Sequence, residues 1–246
     1  MIKQADKYGW KLNDLRILEN DNIFTKHAPG KHNQQSHAGG RGGGKTNYSD
    51  LMDFVNEEVP EGISVTRYLD VQMKQTYSQN TDPQYDNYLA SYITDEGLTL
   101  NRKIRTGEKL NITDTNTMNG ITEAMKNTPN ITESITVYRG IKKNTDSSSV
   151  FNQIKEGDTF EDSGFASTSL SSYVAGQMAN ANGTIDKQGI LMKINVPAGS
   201  EGVYPNSFLK GLNPYGQEVE FLLPQNSKFK VNAQLGKVWE VEVVNG

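Results

Sequence analysis

Cysteine is absent from this 246-residue chain. That removes disulfide scaffolds, thiolate zinc sites and cysteine nucleophiles, and leaves the redox compartment open. Histidine is scarce, with only His27, His32 and His37. Their spacing matches neither a helical nor a strand face, and no carboxylate or cysteine lies close enough in sequence to complete a metal set, so no metal is expected. A basic surplus is missing too. With 25 Lys and Arg against 29 Asp and Glu the formal charge is −4, which argues against a general polyanion binder, and nucleic acid is not an expected partner. No apolar run approaches the ~20 residues of a membrane span. The start, Met1 to Asp6, lacks the apolar core of a signal peptide. The expectation is a soluble chain that neither crosses a membrane nor leaves the cell by the standard route.

What the chain does have is length enough to bury a core without an oligomer. Residues 1–47 differ in character from the rest, with a short helical pattern around Leu12, Leu15 and Leu18, a His-rich stretch from His27 to His37, and a glycine tract from Gly39 to Gly44. The tract reads as a flexible linker, which places a boundary near Lys45: a leader over 1–47 and a domain over 48–246. The run Gly39 to Thr46 satisfies the phosphate-loop pattern letter for letter. That loop needs a buried strand before it, whereas Asn33 to Ala38 offers nothing apolar larger than alanine, so the match is rejected. The stretch His27 to Gly39, with Pro-Gly-Lys-His, then Gln, then Ser-His, resembles a short motif of tailed-phage head-associated proteins. The resemblance implies phage head components as partners of the leader, and a location in the virion or the bacterial host cytoplasm.

From Tyr48 onward, helices are predicted at Leu51 to Val55, capped by Ser49 or Asp50, and at 65–75, 84–93, 98–104 and 118–125, the last ending before Pro129. The period then changes to two. Strands are predicted at 135–139, 165–169, 189–196, 218–223, 228–235 and 237–244, with one helix, 172–181, capped by Ser171. Helices first and strands after is the α+β pattern.

Within the last part, Gly216 to Pro224 places Glu218 and Glu220 at alternate positions before Phe221, Leu222 and Leu223. On a strand such residues share a face, about 6–7 Å apart at Cα, and like charges so placed repel unless a cation intervenes. The pair reads either as a solvated strand edge or as equipment for chemistry on a positive centre. Two further signals precede it: Val137-Tyr138-Arg139-Gly140, and Gly164-Phe165-Ala166-Ser167-Thr168-Ser169. An arginine closing a strand is commonly a surface cation, and Ser-Thr-Ser commonly caps a helix.

In that order, the arginine strand, the Ser-Thr-Ser strand and the Glu-x-Glu strand resemble the Arg–Ser–Glu class of mono-ADP-ribosyltransferases. Tyr92 to Gly97 with Asn101 to Arg105 resembles the helical stretch that precedes the arginine strand in that family. The resemblance covers about Tyr48 to Val244. It implies an α+β fold with N-terminal helices on a mainly antiparallel two-sheet core. It also implies an enzyme of the glycosyltransferase type that splits NAD, as co-substrate, and transfers ADP-ribose to a protein of the host, arginine being the favoured acceptor. An NAD glycohydrolase and an inactive head-associated binding protein are the alternatives.

The chemistry fits the residue types. Splitting the nicotinamide–ribose bond leaves an oxocarbenium-like sugar that a carboxylate stabilises, the role the resemblance implies for Glu220. Ser167 is expected to hydrogen-bond Glu220 and orient it, and Arg139 to hold the diphosphate with its forked guanidinium. Glu218 is expected to face the acceptor, orient it and take a proton. Gly140 is expected to allow close backbone approach to NAD, with Thr168 and Ser169 beside it. Tyr215 and Gln217 are expected to recognise the protein substrate. Tyr173 reads either as a nicotinamide stack or as packing, Phe165 as core, and Trp239 as packing.

Overall fold

The computed structural model describes residues 46–55, 85–142, 151–180, 188–205 and 219–244. The chain divides into two units, Met1–Asn47 and Tyr48–Gly246. Everything below belongs to the second. The predicted helix at 65–75 and the His- and Gly-rich stretch lie outside the described residues.

Among the described residues, three helices stand between the helical segment 51–55 and the first strand: α1 (Asp86–Tyr92), α2 (Asp95–Thr106) and α3 (Ile112–Lys126). Each of the last two runs beyond its apolar pattern because polar caps set its ends. Thr94 accepts the Glu96 N–H at 3.2 Å to start α2, and Gly107, at φ +68°, closes it in the left-handed region. Asn111 and Asp114 form a reciprocal capping box that starts α3. The inward faces gather Leu89, Tyr92, Leu100, Ile121, Ala124 and Met125 into a cluster that also takes in Phe165, Val203 and Leu222 from the β half.

The strands are β1 (Ile135–Ile141), β2 (Thr159–Asp162), β3 (Ala166–Ser169), β4 (Ile190–Val196), β5 (Glu220–Leu223), β6 (Ser227–Leu235) and β7 (Val238–Val244). A fourth helix, α4 (Ser172–Asn180), follows β3, with Ser171 Oγ accepting the Val174 N–H at 3.4 Å. The described strands form one mixed sheet in the order β2-β6-β7-β4-β1-β3-β5, parallel at β4/β7 and antiparallel elsewhere. This corrects the expected two sheets. The join that makes them one is narrow, since β1 and β3 meet at the single pair Tyr138↔Ser169.

The strands bury both faces. Ile135, Val137 and Ile141 of β1 join Met192, Ile194, Phe221, Leu223, Val231 and Trp239 in the largest core cluster. Across the sheet, Tyr138, Leu191 and Val238 meet Ala175 and Ala179 of α4 and Leu51, Phe54 and Val55 of the helical segment 51–55. Asp50 Oδ1 accepts the Met52 N–H at 2.9 Å and Gln188 Nε2 at 2.8 Å, while Gln188 Oε1 accepts the Leu51 N–H at 3.0 Å. These bonds tie that segment to the chain entering β4.

Gly140 is where α4 touches the sheet. A Cβ there would lie 2.1 Å from the Ala175 carbonyl oxygen and 2.6 Å from the Ala179 nitrogen. The close approach that the absent side chain permits is that of a helix. Both obstacles are backbone and have little room to yield. Gly140→Ala is expected to destabilise the domain by about 3 kcal/mol or to prevent folding. The urea midpoint of unfolding checks this, and a loss below ~0.5 kcal/mol contradicts it.

Candidate active site

β3 and β5 pair antiparallel with Ser167 opposite Leu222 and Ser169 opposite Glu220. Directly opposed residues share a face, so Ser167 and Glu220 are diagonal neighbours on the side toward the helices. Ser167 is exposed between buried Ala166 and Thr168, and its hydroxyl donates to Glu220 Oε1. Glu220 is only 8% exposed. Burial pushes its carboxyl up to about 7, and the Ser167 hydrogen bond pulls only partly the other way.

The strand starts at Glu220, two residues later than predicted. Val219 before it has φ +42°, a sparsely populated region for a β-branched residue. Glu218, Tyr215 and Gln217 themselves lie outside the described residues.

The other hydroxyls of Ser-Thr-Ser make local contacts. Thr168, buried, donates to the Phe221 carbonyl at 2.5 Å and ties β3 to β5, and Ser169 Oγ accepts the Ser171 N–H at 3.0 Å where the chain turns into α4. Tyr173, half-buried, packs against the cluster of Leu51, Phe54 and Ala175. Phe165 is 1% exposed and sits edge-on to Tyr92, with ring centroids 5.6 Å apart, as a core residue should.

Arg139 does not stand alone. Its Nη1 lies 2.7 Å from Asp162 Oδ2, and Arg105 of α2 grips the same carboxylate with Nε on Oδ1 at 2.8 Å and Nη2 on Oδ2 at 3.0 Å. The Gly164 N–H adds a fourth donor, on Oδ1 at 3.0 Å. Burial alone would raise the Asp162 carboxyl, but the Arg139 charge and the Arg105 pair overcome it and hold the group below the ordinary carboxylate range. Two guanidiniums share one carboxylate, so the cluster carries a net positive charge. Asp162 ends the edge strand β2, four strand spacings from β1, or about 19 Å on a flat sheet. An ion pair across that interval requires the sheet to curl on itself.

A second network runs from the helices into β3. The Phe165 N–H donates to Asn101 Oδ1 at 2.9 Å, Asn101 Nδ2 donates to the Tyr92 hydroxyl, and Arg105 Nη2 donates to the Phe165 carbonyl at 3.0 Å. Burial raises the Tyr92 phenol well above its usual value and the Glu220 charge adds to this, opposed by Asn101, Arg105 and Arg139. The Tyr92 hydroxyl is thus within electrostatic reach of Glu220 and both arginines. Sequence reasoning assigns no site role to Tyr92, Asn101, Arg105 or Asp162. For the first three a signal exists, in the spacing of the Tyr92–Arg105 stretch. For Asp162 there is none, because Thr-Phe-Glu-Asp has one apolar residue and shows no strand period.

The raised carboxyl of Glu220 has a stability consequence. Between its unfolded value near 4.5 and its folded value of about 7, the folded state binds the extra proton, so stability falls as pH rises through that window. Glu220→Gln removes the titration. It is expected to gain up to about 3 kcal/mol on the parent between pH 5 and pH 8, as measured by urea unfolding at both pH values. A difference independent of pH contradicts the placement of a buried, ionisable carboxyl at this position.

A sequence profile described as ADP-ribosyltransferase exoenzyme matches residues 56–242. No curated protein sequence gives a significant match. Among solved structures the chain is similar to Plx2a, an ADP-ribosyltransferase toxin from Paenibacillus larvae, at 20% identity over 73% of this chain and 96% of that one, with TM-score 0.55. It is similar to exoenzyme S from Pseudomonas aeruginosa, solved with human 14-3-3 protein beta and carba-NAD, at 20% identity over 78% and 86%, with TM-score 0.53. It is similar to an ADP-ribosyltransferase from Clostridium botulinum at 17% identity over 73% and 94%, with TM-score 0.56. At these identities the likeness is one of fold. The profile, which spans more than half of the sequence, carries the family assignment: the chain belongs to the ADP-ribosyltransferase exoenzyme family.

Proposed function

We propose that this is an Arg–Ser–Glu mono-ADP-ribosyltransferase that splits NAD at the nicotinamide–ribose bond and transfers ADP-ribose to a protein of a bacterial host, with arginine as acceptor. The observation that carries the reading is the Ser167–Glu220 pair, an exposed hydroxyl bonded to a nearly buried carboxyl, with the Tyr92 hydroxyl in electrostatic reach of both that carboxyl and the net positive arginine cluster. A dinucleotide suits that donor set, because its diphosphate is the anion two guanidiniums can share. The exoenzyme S structure carries an NAD analogue on the same fold.

In this reading the C–N bond to nicotinamide breaks with its electron pair leaving on nicotinamide. The ribose becomes cationic, and the Glu220 carboxylate stabilises it while Ser167 holds the carboxylate in place. The acceptor nitrogen then bonds to the ribose carbon and loses a proton, for which Glu218 is the proposed recipient. Tyr215 and Gln217 are the proposed contacts to the protein substrate. For the leader, the resemblance at His27 to Gly39 supports carriage with a phage head and action in the host cytoplasm.

Labelled NAD with bacterial lysate is expected to label protein, and a small guanidinium acceptor such as agmatine to compete. Glu220→Gln should cut nicotinamide release at least about a hundredfold. Glu218→Gln should preferentially lose transfer while NAD cleavage persists. Nicotinamide release without labelled acceptor would mark a glycohydrolase instead. Because Glu220 works as the anion and its carboxyl sits at about 7 in the free protein, kcat/KM for NAD is expected to fall about tenfold per pH unit below that value and to level off above it. A profile flat from pH 5 to 8 contradicts the assignment of Glu220.

A further inference from the structure

The geometry points to Asp162 as a positioning residue for the dinucleotide: its carboxylate, anchored by Arg105 and the Gly164 N–H, aims the Arg139 guanidinium at the diphosphate. This rests on the reading above, in which Arg139 meets that diphosphate.

The four contacts to Asp162 are unequal. A carboxylate offers about four acceptor positions, and here each oxygen takes two donors. Arg105 takes both oxygens with its fork and also donates to the Phe165 carbonyl, so its own place is fixed on two sides. Gly164 contributes a backbone N–H. These three contacts fix the carboxylate to α2 and to the turn before β3. Arg139 adds a contact through Nη1 alone, and a guanidinium carries five N–H groups. The pairing is a pivot that sets the direction of the fork near the end of β1.

Exposure agrees with that division. The Asp162 side chain is 9% exposed and Arg139 14%, while Arg105 reaches 28%. The partner with the single contact is enclosed with the carboxylate, and the clamped partner extends toward solvent. Charge supplies the motive, since two guanidiniums and one carboxylate leave one positive charge in an enclosed place, which a further anion would balance.

A rival account predicts the opposite sign. If Asp162 were only a counter-charge competing with the diphosphate, removing it would raise the positive charge and tighten NAD binding. If it positions Arg139, removing it weakens binding in spite of the added charge. Asp162→Asn is therefore expected to raise KM for NAD about tenfold while kcat for nicotinamide release stays within about threefold. Asp162→Glu keeps the charge and shifts the carboxylate by a methylene, and should raise KM at least about fivefold.

In an Arg139→Lys background, Asp162→Asn should change KM by less than about twofold, because the fork it directs is gone. KM that is unchanged or lower in either Asp162 variant overturns the assignment. So does an equal rise in both backgrounds, since Asp162 would then act elsewhere. The parent chain separates the two claims. If it neither binds nor splits NAD, the functional reading falls and this assignment with it. If it splits NAD while Asp162→Asn binds as tightly, only the assignment falls.

Discussion

One carboxylate shared by two guanidiniums sets the form of this domain. Asp162 draws the end of the strand β2, the helix α2 and the arginine of strand β1 to one point. Burying charge is costly unless every partner is present, and removing one partner from such a group typically costs about 3–5 kcal/mol. The curl of the sheet, the seating of α2 and the course of the chain into β3 are therefore conditions of the same group. That group stays one charge short of neutral, in a family of enzymes whose substrate carries a diphosphate.

Glu220 obeys the complementary rule. Its carboxyl is enclosed with one hydroxyl to offset the loss of water, so the anion is disfavoured in the free protein. In the proposed reaction, a sugar that turns cationic as nicotinamide leaves is what the anion lacks. An interaction that strengthens as charge develops lowers the barrier rather than the ground state. The two carboxylates of the site are pushed in opposite directions, Asp162 down by its arginines and Glu220 up by burial. The separate duties proposed for them rest on that difference in surroundings.

The parts of this arrangement that sequence discloses are those that local pattern controls. Period-two runs locate each described strand except β2, and Arg139, Ser167 and Glu220 stand out because their order is a motif. What pattern misses depends on contacts distant in sequence. Asp162 sits on four residues without alternation, and its importance lies in partners 57 residues before it in α2 and in β1. At Gly140 the missing side chain makes room for α4, a packing choice that no local signal announces. Thr168 and Ser169 share a motif with Ser167, yet their contacts tie strands and turn a helix. Composition extends the last motif strand to Glu218, whereas the described strand begins at Glu220, after a positive φ at Val219. The two-sheet expectation comes with the resemblance and not from any pattern, and the single pair Tyr138↔Ser169 is what joins the two halves into one sheet.

The outer side of β5 adds a different consequence. Glu220 lies on an edge strand, and such edges invite pairing with other chains. Here the edge is partly capped, because Val203 exchanges both backbone hydrogen bonds with Leu222, each at 2.9 Å. A two-residue bridge suffices to deny another strand the middle of β5. The protein can thus carry a buried, ionisable carboxyl at the rim of a sheet without offering another chain's backbone a template for aggregation.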